Sequence, residues 1–168
     1  YIFSELSRNT EIICRRMRAE DFVTRKISYY LKSKIPDALN SKYGKIESFD
    51  INLPYYTNNP ADIINAVEAN FKKNFNPKFN YKSTGISVLE LVHESKIPRD
   101  LFGVQDTQIG DNAFTSALDH LEGKYGKQVV YFASSLNSIN KRIGEQNIRA
   151  NKYPYEYGLP LPYLGEVK

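Results

Sequence analysis

Four aspartates are the first candidates for chemistry: Asp21, Asp50, Asp62 and Asp100. Metal-assisted phosphoryl transfer needs carboxylates that converge at strand ends or tight turns, so that their oxygens can share a cation. These four are scattered along the chain and form no such set. The two histidines, His93 and His120, lack metal-ligand spacing, and His120 reads as a surface or core-edge residue of a short helix. Cys14 is the single cysteine, which excludes an internal disulfide and a zinc site built on thiolates. It falls in a helical stretch and reads as buried filler. No glycine-rich phosphate loop, Gly-x-Ser-x-Gly elbow or Cys/His dyad is present. The residues predict no covalent chemistry within this chain.

What remains is surface chemistry. Lys26, Lys32 and Lys34 alternate with small hydroxyl side chains, and Lys82, Ser83 and Thr84 lie together further on. Ammonium and hydroxyl groups can contact phosphate oxygens and set position without reading base sequence. A solvated sheet face shows the same alternation. A second feature is Pro98-Arg99-Asp100-Leu101-Phe102-Gly103. Adjacent Leu and Phe in a polar, Pro-flanked loop either fold back onto the domain or insert into a partner's pocket.

These residues need elements to position them. Ser4 to Glu20 reads as a helix on the spacing of Leu6, Ile13 and Met17, with Arg15, Arg16 and Arg18 suiting the dipole at its C-terminal end. Phe22 to Lys34 reads as a strand. Val23, Ile27, Tyr29 and Leu31 share one parity, and Thr24, Lys26, Ser28, Lys32 and Lys34 share the other; Arg25 breaks the pattern. Pro36 to Gly44 reads as a loop, and Ile46 to Leu53 as a second strand whose outer face is not basic. Pro54 to Pro60 reads as a turn segment before a helix over Ala61 to Phe75, capped by Asn58 or Asn59. Asn80 to Val92 reads as a third strand, with Ser83, Gly85 and Ser87 opposite Ile86 and Val88 in parity. Gly85 marks a bulge or a close approach by another molecule.

This order predicts an α+β fold, with an antiparallel sheet and helices on one face. It is a split βαβ unit whose first strand would precede Tyr1. The domain reading is a sheet domain over residues 1–92, a connector over 93–110 and a small α/β C-terminal extension over 111–168. In the extension, Asn112 to Tyr125 reads as a helix with Phe114, Leu118, Leu121 and Tyr125 on one face. Val129 to Phe132 reads as a short strand and Leu136 to Ala150 as a polar helix. The tail from Asn151, with Pro154, Pro160, Pro162 and several Tyr, gains structure only by packing on something.

Composition bounds these readings. The chain has 168 residues, 41% hydrophobic and 25% charged, with 13 Tyr, 9 Phe and no Trp, as an ordinary globular protein does. Its net charge of +4 permits nucleic-acid binding without demanding it. No apolar run approaches the ~18 residues needed to span a membrane, and no secretory signal is visible. The expectation is a reducing, cytoplasmic setting and no membrane partner.

The motifs then line up with a family. Leu53-Pro54, Thr57-Asn58, Asp62-Ile63-Ile64-Asn65-Ala66 and Tyr81-Lys82-Ser83-Thr84-Gly85-Ile86 follow one another in order. Asp100-Leu101-Phe102-Gly103, Lys124-Tyr125-Gly126-Lys127 and Val129-Val130-Tyr131-Phe132-Ala133-Ser134 come next. From about Glu5 to Ser135 the chain resembles the C-terminal region of UmuC-type Y-family translesion DNA polymerases: a little-finger domain, a sliding-clamp motif and a C-terminal extension. It departs from the family where Pro98 and Arg99 replace the usual Gln-Leu opening of the clamp motif, and where the tail lacks a Trp.

The resemblance implies a DNA-holding domain that lies along primer–template duplex, within an error-prone polymerase of the SOS damage response. Its phosphate contacts would come from Lys26, Lys32, Lys34, Lys82, Ser83 and Thr84. Asp100, Leu101 and Phe102 would enter the clamp's hydrophobic pocket, and the extension would meet a UmuD′-like subunit. The palm carboxylates and their magnesium would lie elsewhere in the parent polymerase, with no cofactor in this stretch. Two other readings compete. One is a protein-interaction module that docks a UmuD′-like regulator or the clamp without touching DNA. The other is an RRM-like sheet, which needs stacking aromatics on its open face, where only Tyr30 and Tyr81 fit the parity. An unpaired strand edge also predicts self-association.

Overall fold

Alternation of buried and part-exposed residues from Lys26 to Ser33 makes Phe22–Ser33 the organising strand. The computed structural model describes residues 1–34, 45–97, 112–126 and 129–152. Helix α1 (Ile2–Ala19) leads into β1 (Phe22–Ser33), β2 (Ile46–Thr57), α2 (Pro60–Asn74), β3 (Tyr81–Val88) and β4 (Leu91–His93). A 3-10 turn at Glu94–Lys96, helix α3 (Asn112–Tyr125), a second 3-10 turn at Ala133–Ser135 and helix α4 (Leu136–Lys152) follow. The sheet order is β2-β1-β3, with β4 also on β1, and every pairing is antiparallel. β2 and β3 are joined through α2 and flank β1, so the split βαβ arrangement is present. β2 and β3 form the outer edges.

One face of this sheet carries the core. Val23, Ile27, Tyr29 and Leu31 of β1 and Leu53 of β2 are buried against Leu6, Cys14 and Met17 of α1 and Ile63, Val67 and Phe71 of α2. Each such aliphatic side chain contributes about 1.5–3 kcal/mol by leaving water. Cys14 is fully buried, as its helical setting predicts, and burial pushes its thiol up to about 12. Tyr29 keeps its hydroxyl satisfied by donating to Asn70 Oδ1 at 2.8 Å.

The Thr57-Asn58-Asn59 segment ties the elements together. Asn59 caps α2 by accepting from the Ala61 amide at 2.9 Å, and the Thr57 hydroxyl donates to Asp62 at 3.0 Å. Buried Asn58 donates to the Phe22 carbonyl and to Glu94 Oε1, and its own carbonyl accepts from Arg18. Strand β2 reaches Thr57, so Pro54 to Thr57 is extended rather than a turn. Its pairing jumps from Lys26↔Asn52 to Thr24↔Thr57. Pro54 lies in this gap and has no N–H to offer the ladder. Arg25 lies in the same gap, points to solvent and donates to the Leu53 carbonyl at 3.2 Å. That explains the one charge on the apolar parity.

Among the described residues, those from 112 onwards build a third layer on the far side of α1. They run antiparallel to it, and the contacts are polar. Arg18 grips Asp119 with two bonds of 2.6 and 2.7 Å, and Arg15 meets Glu122 at 2.6 Å. Further along, Ser7 meets Ser134 and Ser135, Glu11 accepts from the Ser135 hydroxyl and the Phe132 amide, and Ser4 accepts from the Ser138 amide. Arg15 and Arg18 therefore hold this layer rather than only complementing a helix dipole. Val129 to Phe132, read as a strand, makes bends and irregular backbone and joins no pairing of the sheet; the Phe132 amide bonds to Glu11 of α1 instead. The described part of the extension is thus helical. No helix among the described residues is long and apolar enough to cross a membrane.

Glu5 closes this interface, accepting from Arg142 at 3.1 Å and from the Tyr1 hydroxyl at 2.7 Å. Burial pushes its carboxyl up, but hydrogen bonds from Arg142 and Tyr1 outweigh it and hold the group at about 2. A depressed carboxylate stabilises the fold above its ordinary value near 4.5 and stops doing so as pH falls towards 2. Because Arg142 is half exposed, the contribution is on the order of 1–2 kcal/mol. Glu5→Gln should therefore be less stable than the wild type at pH 6, with the gap narrowing below about pH 4.5 and closing only at about pH 2, in urea titrations. A constant difference across that range would refute the role given to Glu5.

Candidate nucleic-acid interface

The other face of the sheet is open. Both helices pack on the odd-numbered side chains of β1, which leaves Lys26, Ser28, Tyr30 and Lys32 facing away. Their neighbours follow from the register. Lys26 lies beside Asn52. Ser28 lies between Asp50 and Ser87, Tyr30 between Ser48 and Gly85, and Lys32 between Ile46 and Ser83. The result is a trough of small polar side chains with a lysine towards each end. Lys26 and Lys32 are six residues apart, roughly 20 Å along a strand. That matches about six nucleotide steps along one DNA strand at ~3.4 Å each.

The cations are lightly committed. Lys26 Nζ stands 3.9 Å from Asp50, an exposed and weak pair. Among the described residues no ion pair engages Lys32, Lys34 or Lys82. Lys34 and Lys82 are exposed at the same end of the sheet as Lys32. Asp50 is the acidic exception on the open face, in keeping with a non-basic β2.

Three adjacent residues of β3 do not act together. Ser83 pairs with Lys32 and lies on the open face. Thr84 pairs with Leu31 on the helix side, where its hydroxyl donates to the Tyr30 carbonyl at 2.6 Å. Lys82 is the extra residue of a bulge, because the register steps from Lys32↔Ser83 to Ser33↔Tyr81. The same bulge turns Tyr81 inwards, against Phe75 at 5.2 Å between ring centroids. Simple parity puts Tyr81 on the open face; the bulge removes it, and Tyr30 remains as the aromatic at the centre. The structure thus brings Lys26, Lys32 and Ser83 to one face, leaves Lys34 and Lys82 exposed near one end of the sheet, and turns Thr84 to the helix side. Asp100, Leu101 and Phe102 lie outside the described residues.

Gly85 sits where the sheet needs no Cβ. A methyl there would stand 2.6 Å from Tyr30 Cε1, because the ring leans across the glycine. The close approach expected at Gly85 is therefore made by Tyr30 of the same chain. Its cross-strand position directly opposite Tyr30 could have revealed this, since a large ring and a missing side chain are complementary. Among the described residues no group of three His, Cys, Asp or Glu is placed to hold a metal ion.

Residues 2–101 match the model of the impB/mucB/samB family C-terminal domain. The chain is also 29% identical over 119 residues to the protein UmuC of Salmonella typhimurium, an alignment covering 70% of this chain and 28% of that protein. The aligned stretch therefore spans only 28% of that relative's length.

The Tyr30–Gly85 pairing yields a coupling test. Gly85→Ala forces the ring aside and should cost about 1 kcal/mol or less, since the clash is with the end of a side chain. In a Tyr30→Ala background the same change should be neutral or stabilising, because Ala holds a strand better than Gly. Urea denaturation of the four variants measures this, and an equal cost in both backgrounds would show that the ring is not the obstacle.

Proposed function

The chain belongs to the impB/mucB/samB family through its C-terminal domain, the C-terminal region of UmuC-type Y-family polymerases, and from that premise we propose that it is the DNA-gripping part of a translesion DNA polymerase. The observation that supports this reading is the open sheet face. It is uncovered by either helix, lined by hydroxyls and supplied with Lys26 and Lys32, with Lys34 and Lys82 exposed near one end. Such a face suits the backbone of a primer–template duplex, because ammonium groups and hydroxyls meet phosphates of any sequence. One centrally placed tyrosine is too little for the multiple stacking that single-strand readers use. In this reading Thr84 is structural, and grip comes from the other residues.

Nucleotidyl transfer and its magnesium belong, on this proposal, to other parts of a longer polymerase. This chain would add affinity and register. A second tether, to a sliding clamp, rests on the family likeness of Asp100-Leu101-Phe102, and association with a UmuD′-like subunit rests on the same likeness. Tethering of this kind raises local concentration at the primer end rather than intrinsic affinity for DNA.

Two measurements test these roles. Lys26→Ala, Lys32→Ala and Lys82→Ala together should weaken binding to primer–template duplex about equally across sequences. They should also lower the slope of log affinity against log salt by roughly two to three. Fluorescence anisotropy at several salt concentrations reads both, and an unchanged slope would sink the grip proposal. Leu101→Ala with Phe102→Ala should abolish binding to a sliding clamp in surface plasmon resonance while leaving DNA affinity within twofold. Retained clamp binding would show that the pair is not the anchor.

A further inference from the structure

The turn between α2 and β3 holds an aromatic ring in the open. The Lys78 amide donates to Asn76 Oδ1 at 3.0 Å, and the Phe79 amide donates to the Asn76 carbonyl at 3.1 Å. The Asn76 amide in turn donates to the Tyr81 hydroxyl at 3.2 Å, which ties the turn to the first residue of β3. Phe79 meets Tyr81 edge-on, with 6.4 Å between ring centroids, yet stays 47% exposed. A ring fixed in this way loses little further freedom when a second ring stacks on it. Three segments of the chain bring cations to it. Lys78 precedes it, Lys82 follows Tyr81, and the Lys34 amide donates to the Asn80 carbonyl at 2.7 Å. All three lysines are exposed, and among the described residues no ion pair engages them. Glu47, near the start of β2, is already engaged by Lys45 at 2.6 Å.

We propose that Lys34, Lys78, Phe79 and Lys82 form a second nucleic-acid site, which holds unpaired DNA nucleotides where they leave the end of a duplex. The proposal rests on the DNA-gripping reading, which supplies the polymer, and adds a place for its single-stranded end. Lys32 pairs with Ser83, and Ser33 pairs with Tyr81. A phosphate backbone followed along the open face from Lys26 to Lys32 therefore reaches Lys34 and Lys82 next, with Phe79 just beyond the strand end. Lysines neutralise phosphates of any sequence. A base needs more than charge. It needs a flat apolar face to stack on, and it must be unpaired, because a duplex presents only base edges in its grooves. Phe79 offers that face. An acidic peptide would satisfy the lysines and leave the ring without a use.

Fluorescence anisotropy tests this with a blunt duplex and the same duplex carrying a 5′ or a 3′ single-stranded overhang of about five nucleotides. At least one overhang should raise affinity roughly tenfold. Phe79→Ala and Phe79→Leu should each remove most of that gain, and Phe79→Trp should keep it. None of the three should change affinity for the blunt duplex or, because the ring is half exposed, the urea concentration at which the chain unfolds. Lys78→Ala should lower the salt slope for the overhang probe by roughly 0.7 and leave the blunt-duplex slope unaltered. Equal affinity for all probes overturns the site while leaving the grip reading intact, and failure to bind any probe overturns both. An overhang gain that survives in Phe79→Leu overturns the site as well, because the tip would then be a cluster of cations only.

Discussion

β1 has hydrogen-bonded neighbours on both edges and different environments on its two faces, and every other element is placed by that double commitment. Its odd-numbered side chains must be buried, because Val23, Ile27, Tyr29 and Leu31 would otherwise leave a broad apolar strip in water. α1 and α2 therefore have to lie on that side. Its even-numbered side chains cannot be buried there, because lysine ammonium groups lose too much hydration. A one-residue slip of β1 would exchange the two sets, so the register that builds the core also builds the open lysine face. The open lysine face and the buried core are thus one constraint seen from opposite sides of a strand.

The third layer follows a different rule. α1 is apolar towards the sheet through Leu6, Cys14 and Met17 and polar towards the extension through Ser4, Glu5, Ser7, Glu11, Arg15 and Arg18. The extension answers with hydroxyls and charges, and α3 turns its acidic side inwards to do so. Such an interface is directional. Each bond fixes orientation, yet each contributes only a modest net free energy, because water offers the same partners. Glu11 shows the cost, since burial pushes its carboxyl up despite the Ser135 hydroxyl and the Phe132 amide.

The sheet and its two helices were legible because their signals are local periods. The β1 alternation, the Ile64, Val67 and Phe71 stripe of α2 and the Asn59 cap each sit within a few residues of one another. What misled were single-residue departures from period. Lys82 adds one residue to β3, so parity carried back to Tyr81 gives the wrong face, and three consecutive residues that look like one phosphate cluster divide between two sides. Pro54 interrupts a ladder without ending a strand. The α3 stripe was legible as apolar, but not as outward. Periodicity reports that a face exists; only the Arg18–Asp119 pairing between distant segments decides which face turns in.

Two salt-sensitive systems therefore share one chain. The open face holds exposed lysines, and α1 holds its extension by ion pairs. They differ in how salt reaches them. The Arg18–Asp119 bond is bidentate, and its arginine is largely withdrawn from water, with a side chain 12% exposed. Mobile ions screen such a pair weakly. Phosphates bound at an open sheet release condensed counterions in proportion to the number neutralised, which gives a steep logarithmic dependence with no threshold. Loss of the extension would instead be a cooperative step, because the segment is held by contacts from Ser4 to Arg18 that strengthen one another only while it is docked. If the sheet grips DNA as proposed, a smooth, linear salt dependence of that affinity would belong to the sheet, and a break in it to α1.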